Sequence, residues 1–169
     1  MAQAFRHEHG CDFISVMPTN LYGPQDNFDL ASSHVMPALM RKIHQAKVNG
    51  EPTVTIWGSG TPRREFLHVD DLAHAILFLL ERYSQAQFLN VGTGVDITIR
   101  ELAEQLMRTV GYTGDLILDR SKPDGTPRKC TDISLIKELG WAPRISLAEG
   151  IASTYQWFLD QHGHVRGGV

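Results

Sequence analysis

Nine consecutive residues, Ser121-Lys122-Pro123-Asp124-Gly125-Thr126-Pro127-Arg128-Lys129, carry three cations and a carboxylate among turn formers and offer almost nothing to a core. A loop of that composition suits an anion. A second basic turn, Trp57-Gly58-Ser59-Gly60-Thr61-Pro62-Arg63-Arg64-Glu65-Phe66, follows an apolar run and adds an indole and an arginine pair. Guanidinium forks grip phosphate oxygens two at a time and an indole face can stack, so the two stretches together point to a nucleotide diphosphate. Either turn alone reads more simply as a solvated loop. The pair carries the reading.

His34 is the best single candidate for proton transfer. It stands beside Ser32 and Ser33 at the start of an expected helix, after a loop bearing Asn20, Asp26, Asn27 and Asp29. A histidine there can present its ring to a cleft and exchange a proton near neutral pH; a helix-capping or surface histidine is the plainer reading. His68, between Leu67 and Val69, reads as structural, and Cys130 as packing. The chain has no GxGxxG turn, no P-loop and no Gly-x-Ser-x-Gly elbow. The pairs His7/His9 and His162/His164, in polar terminal segments, lack the further ligands a bound metal takes, and neither Cys11 nor Cys130 sits in a metal-ligand spacing.

These residues need a scaffold, and the pattern supplies an alternation of strands and helices. Phe13–Met17 is a continuous apolar run closed by Pro18, expected to be a buried parallel strand. Met36, Leu39, Met40 and Ile43 set one stripe on a helix starting at His34, with Ser32 or Ser33 as its cap and Pro37 tolerated in its first turn. Thr53–Trp57 reads as a strand. The next helix begins at Asp70 or Asp71, with Asp70 as cap and Leu72, Ile76, Leu79 and Leu80 inward. Phe88–Val91 is a third strand. Thr98/Glu101 and Ser146/Glu149 are capping boxes opening two further helices, the first ended by Gly111. Leu116–Leu118 reads as a strand and Asp132–Leu139 as a short helix. The tail from Gly163 reads as disordered. The whole predicts an α/β fold with a largely parallel sheet. The first strand stands so near the amino end that the chain resembles the carboxyl half of a larger unit.

With 169 residues, 42% hydrophobic and 21% charged, the chain is one domain's worth of globular protein. A net charge of −3 argues against nucleic-acid binding, which needs a broad basic excess. No apolar stretch reaches the ~20 residues of a membrane span. Two cysteines without a framework favour a reducing, cytoplasmic setting.

The motifs Pro18-Thr19-Asn20-Leu21-Tyr22-Gly23-Pro24, Ser33-His34-Val35-Met36-Pro37-Ala38-Leu39, Trp57-Gly58-Ser59-Gly60, Arg64-Glu65-Phe66-Leu67-His68-Val69-Asp70-Asp71, Asn90-Val91-Gly92-Thr93-Gly94 and Lys122–Lys129 occur in an order that resembles the GDP-L-fucose synthase family of extended short-chain dehydrogenase/reductases. The likeness covers nearly all of residues 4–160. It implies the carboxyl half of a Rossmann-like fold, with a few parallel strands plus a small mixed α/β substrate-binding region, residues 1–169 forming a single unit. It also implies inversion of C3 and C5 of a 4-keto sugar followed by reduction at C4 with NADPH. His34 would be the general acid and, with Pro18, Thr19, Asn20 and Leu21, would lie on the nicotinamide side of the cofactor. Lys42, Trp57, Arg64, Asp124 and Lys129 would hold the GDP-sugar, and the family expectation is a homodimer. The family's dinucleotide-binding glycines, catalytic serine, Tyr-x-x-x-Lys pair and proton-abstracting cysteine have no counterpart here. A non-catalytic nucleotide-sugar-binding module and another nucleotide-sugar epimerase or dehydratase are the alternative readings.

Overall fold

The computed structural model describes residues 1–161, so His162, His164 and the rest of the tail lie outside the described residues. In chain order the elements are α1 (Ala2–His9), β1 (Val16–Pro18), β2 (Asn20–Tyr22), α2 (Val35–Asn49), β3 (Thr53–Trp57), β4 (Arg63–His68), α3 (Val69–Arg82), β5 (Leu89–Val91), β6 (Asp96–Thr98), α4 (Ile99–Val110), β7 (Asp115–Asp119), β8 (Arg128–Lys129), α5 (Ser134–Glu138) and α6 (Leu147–Asp160). The fold is α/β, and its strand pairs are parallel except one. β1 runs with β5, β2 with β4, β3 with β7 and β8 with β4, whereas β6 lies antiparallel to β4.

Local signals set several boundaries. Thr98 and Ser146 each accept from the backbone amide three residues on, and Glu101 and Glu149 reach back to the cap amides, so both capping boxes form as expected. α4 ends at Gly111 in the left-handed conformation. Thr53–Trp57 is a strand over its whole length.

Other expectations are corrected. The first strand is shorter and later than Phe13–Met17, and it is not buried: Phe13 is 50% and Met17 57% exposed. α2 begins at Val35 with His34 itself at the cap position, making no side-chain cap bond, in place of Ser32 or Ser33. α3 is capped by His68, whose Nδ1 accepts the Asp70 amide, and not by Asp70. Its inward face is Ala75 and Leu79, while Ile76 and Leu80 are exposed. Phe88 is exposed outside β5. His7 and His9 lie on a helix, α1. α1, β2, β4, β6 and β8 were not anticipated.

Two apolar clusters hold these elements. In one, α2, α4 and α6 pack on β3 and β4 through Met40, Ile43, Leu102, Leu106, Ile151 and Phe158. In the other, α3 and α5 cover β5 through Leu67, Leu79, Leu89, Val91, Ile136 and Trp141. Phe158 is fully buried, with its ring centroid 4.9 Å from that of Phe28 and 5.2 Å from that of His44. We expect Phe158→Ala to cost about 3–5 kcal/mol of stability by leaving a cavity, whereas Thr98→Ala should cost about 1 kcal/mol through loss of the cap. Urea unfolding midpoints of equal size for the two variants would contradict this account of the core.

Candidate functional site

The two basic turns meet. β3 and β7 run parallel with Trp57 opposite Asp119, so both deliver the turns that follow them to the same end of the pair. Gly58 takes φ +82°, and a Cβ there would lie 2.2 Å from Asp124 Oδ1, so only glycine fits beneath the incoming loop. Asp124 then crosses between the turns. Its Oδ1 accepts the Ser59 amide at 2.8 Å and its Oδ2 accepts the Ser59 hydroxyl at 2.7 Å. These two bonds, side chain first, hold its carboxyl below the usual carboxylate range. Arg64 Nη1 donates to the Thr126 carbonyl at 2.6 Å, and Lys122 Nζ lies 5.7 Å from the centre of the exposed Trp57 ring. Lys129 pairs with Arg64 where β8 joins β4. Trp57, Arg64, Asp124 and Lys129 therefore share one region of the molecule. Lys42 reaches it only through the β3 backbone, with its Nζ on the Thr55 carbonyl at 2.6 Å.

A buried carboxylate keeps two of the cations side by side. Asp96 Oδ1 accepts from Arg63 Nε at 2.6 Å, and its Oδ2 accepts from Arg128 Nε. Their hydrogen bonds, that of Arg128 foremost, lower the Asp96 pKa.

The residues expected on the cofactor side, Pro18 to Leu21, occupy a divergence in the sheet. β1 follows β5, but one residue later β2 follows β4, and Thr19 bridges the split. Its amide donates to the Val91 carbonyl at 3.0 Å and its hydroxyl to the Glu65 carbonyl at 3.3 Å, beside Asn20 Nδ2 on that same carbonyl at 2.8 Å. Open α/β sheets place ligands at such splits. A cavity of about 470 Å³ opens there, lined by Thr19, Asn20, Leu21, Tyr22, Asp26 and His34 among others. Burial raises the Asp26 carboxyl, only partly countered by the Asn27 amide and the neighbouring His34. A second cavity, about 370 Å³, is lined by Pro18, Thr19, Asn20, Lys129, Cys130 and Thr131. Thr19 and Asn20 line both cavities, so the His34 side and the Lys129 side are contiguous.

Sequence reasoning missed three contributors. Cys130, read as packing, lines the second cavity, with its thiol pKa raised by burial and by the nearby Glu65 carboxylate. Asp26 gave no signal beyond its place in a polar loop. Glu65 is fully buried and holds three segments together; an acid amid Phe66 and Leu67 was the one available sign. Among the described residues no cluster of His, Cys, Asp and Glu could hold a metal ion, and no helix is long and apolar enough to cross a membrane.

A mostly parallel sheet that splits beside a cavity defines a dinucleotide-type α/β protein. The NAD dependent epimerase/dehydratase family matches residues 1–92, and the chain belongs to that family. It is 58% identical to GDP-L-fucose synthase 1 of Arabidopsis thaliana over 93% of this chain and 49% of that protein. With the GDP-L-fucose synthase of Escherichia coli (strain K12) it shares 50% identity over 99% of this chain and 55% of that one. The chain thus spans about half the length of the curated relatives it matches. A solved GDP-L-fucose synthetase from Naegleria fowleri bound to NADP superposes with a TM-score of 0.89 at 31% identity, over 97% of this chain and 52% of that one.

Because folding lowers the Asp96 pKa below an unfolded value of about 3.9, its ion pairs contribute fully above that pH and are lost as pH falls through the folded value. Asp96→Asn should lower the melting temperature at neutral pH and flatten its fall below about pH 4. Parallel melting curves for both proteins would show that the bridge does not stabilise the fold.

Proposed function

We propose that this chain forms the substrate-binding part, and one wall of the nicotinamide site, of an NADPH-dependent epimerase/reductase acting on GDP-4-dehydro-6-deoxy-D-mannose to give GDP-L-fucose. The observation that carries the reading is the meeting of the two basic turns, one of which brings Lys129 to a cavity contiguous with the one that His34 lines. Arg64 and Lys129 offset the diphosphate charge, and Trp57, 70% exposed, offers its face to the base. Lys42 and Asp124 act chiefly by fixing β3 and the two turns, to judge from the bonds they already make. His34 caps α2 without a side-chain cap bond, which leaves its imidazole available to return protons to the sugar carbons.

The cavity at the strand split also fits a nicotinamide. Pro18, Thr19, Asn20 and Leu21 carry no charge, and the two polar side chains among them are drawn back onto the Glu65 carbonyl, leaving an uncharged wall for a flat ring. When bound, NADPH supplies hydride to the C4 carbonyl. Thr19, Asn20 and Leu21 orient the ring in the cavity that His34 also lines, where the proton is needed, and Pro18 lines the adjoining cavity. The free Cys11 and Cys130 accord with a reducing cytoplasmic setting.

Calorimetric titration of the chain with GDP should show binding, and Arg64→Ala should weaken it by about 1.5–3 kcal/mol, as for loss of a hydrogen bond to a charged group. Unchanged affinity would remove this turn from the site. In the active enzyme, His34→Gln should slow turnover about 10²- to 10⁴-fold while sparing GDP affinity; equal loss of both would make His34 structural.

A further inference from the structure

The loop that carries Lys129 has no apolar residue to anchor it, and the β8–β4 ladder spans only the pairs Arg63–Arg128 and Arg64–Lys129. Beside the bonds of Asp124, Thr126 and Arg128 already described, it is fixed just beyond Lys129, at Thr131. The Thr131 amide and hydroxyl both donate to Glu65 Oε2, each at 2.7 Å. Glu65 Oε1 accepts the amides of Thr93 at 2.6 Å and Gly94 at 2.7 Å. The carbonyl of the same residue takes Asn20 Nδ2 and the Thr19 hydroxyl. A Cβ on Gly92 would lie 2.2 Å from Oε1 and 2.5 Å from the Thr131 hydroxyl, so the carboxylate is closed in on that side too.

We infer that Glu65 is the positioning residue that sets the Lys129 arm against the cofactor-side strand end, and so fixes where the sugar-proximal phosphate sits. The inference rests on the diphosphate reading above. The sugar must react beside the His34 cavity, and the sugar hangs from the outer phosphate. Lys129 lines the cavity that shares Thr19 and Asn20 with that site, so it faces the outer phosphate and not the one next to the nucleoside. All four close partners of the carboxylate are donors. An amide in its place must turn an NH₂ group toward two of them, and Thr131 is the end that can adapt, because its hydroxyl can reverse and accept. Its backbone amide cannot, and the loop anchor is weakened there.

The test compares GDP with GMP, which lacks the outer phosphate, by calorimetry on the chain. Glu65→Gln should lower GDP affinity about tenfold and GMP affinity less than about twofold, in the range expected for loss of one contact to a charged group. A general loosening of the fold would lower both alike and leave their ratio unchanged. Thr131→Val removes one hydroxyl donor and no buried charge, and should shift the ratio in the same direction by less. It decides the matter if Glu65→Gln does not fold. An unchanged GDP-to-GMP ratio in a folded variant overturns the role of Glu65 alone. Failure of the unsubstituted chain to bind GDP overturns the diphosphate reading and this inference with it.

Discussion

The arrangement depends on one carboxylate kept out of water. Ionised carboxylates are costly to bury unless every lone pair finds a donor, and Glu65 meets that condition with backbone amides from two distant turns and two hydroxyls. Among the described residues the donors to its carboxylate are amides and hydroxyls of Thr93, Gly94 and Thr131, so the group is held by dipoles. In exchange Glu65 joins three segments that are distant in sequence. The turn at Thr93 and Gly94 buries no large apolar side chain of its own, and the strand-to-helix connection around Thr131 buries Ile133 alone. Through the carbonyl of the same residue, Thr19 and Asn20 are tied to the same point.

Other acids near the site serve the same end. Asp124 is engaged by Ser59, Asp96 by Arg63 and Arg128, and Asp71, buried in α3, by the Arg144 and Ile145 amides. Each carboxylate is turned to internal donors. Two cations on the same loops are turned the other way: Lys122 lies over an exposed indole, and Lys129 is itself exposed. The chain as a whole is acidic, at −3, but its local charge at the meeting of the two turns is positive and undercompensated. That separation of sign, and not net charge, is the electrostatic basis of the diphosphate proposal.

What the sequence disclosed follows from how far each signal reaches. The capping boxes at Thr98 and Ser146 and the stop at Gly111 are settled by neighbours within four residues, and they form as read. The orientation of α3 was not legible, because Ile76, Leu77 and Leu80 on its exposed face are as apolar as Ala75 and Leu79 within, so periodicity could not choose. β4 was hidden by its own contents: Arg63, Arg64, buried Glu65 and His68 obscure the alternation a strand normally shows. The basic turns announced their chemistry by composition, yet their meeting depends on the parallel register of β3 with β7, which no local pattern encodes. Glu65 was least legible of all, since its partners are mostly backbone amides about thirty and sixty-six residues away.

The location of the candidate site then follows from topology. Paired strands keep a spacing of about 4.8 Å, and a chain that exchanges one partner for another within a single residue must leave a gap where the partners part. Here the exchange falls at Thr19, between β1 on β5 and β2 on β4. Thr19 spans the gap itself, its amide on Val91 and its hydroxyl on Glu65. The cavities on either side are joined because Thr19 and Asn20 belong to both. One cavity is lined by an imidazole and the other by a lysine, so a group able to exchange protons and a cation stand adjacent on this backbone path. Residue types alone could not have ensured that; the strand exchange does, and the buried carboxylate holds its two sides at a fixed separation.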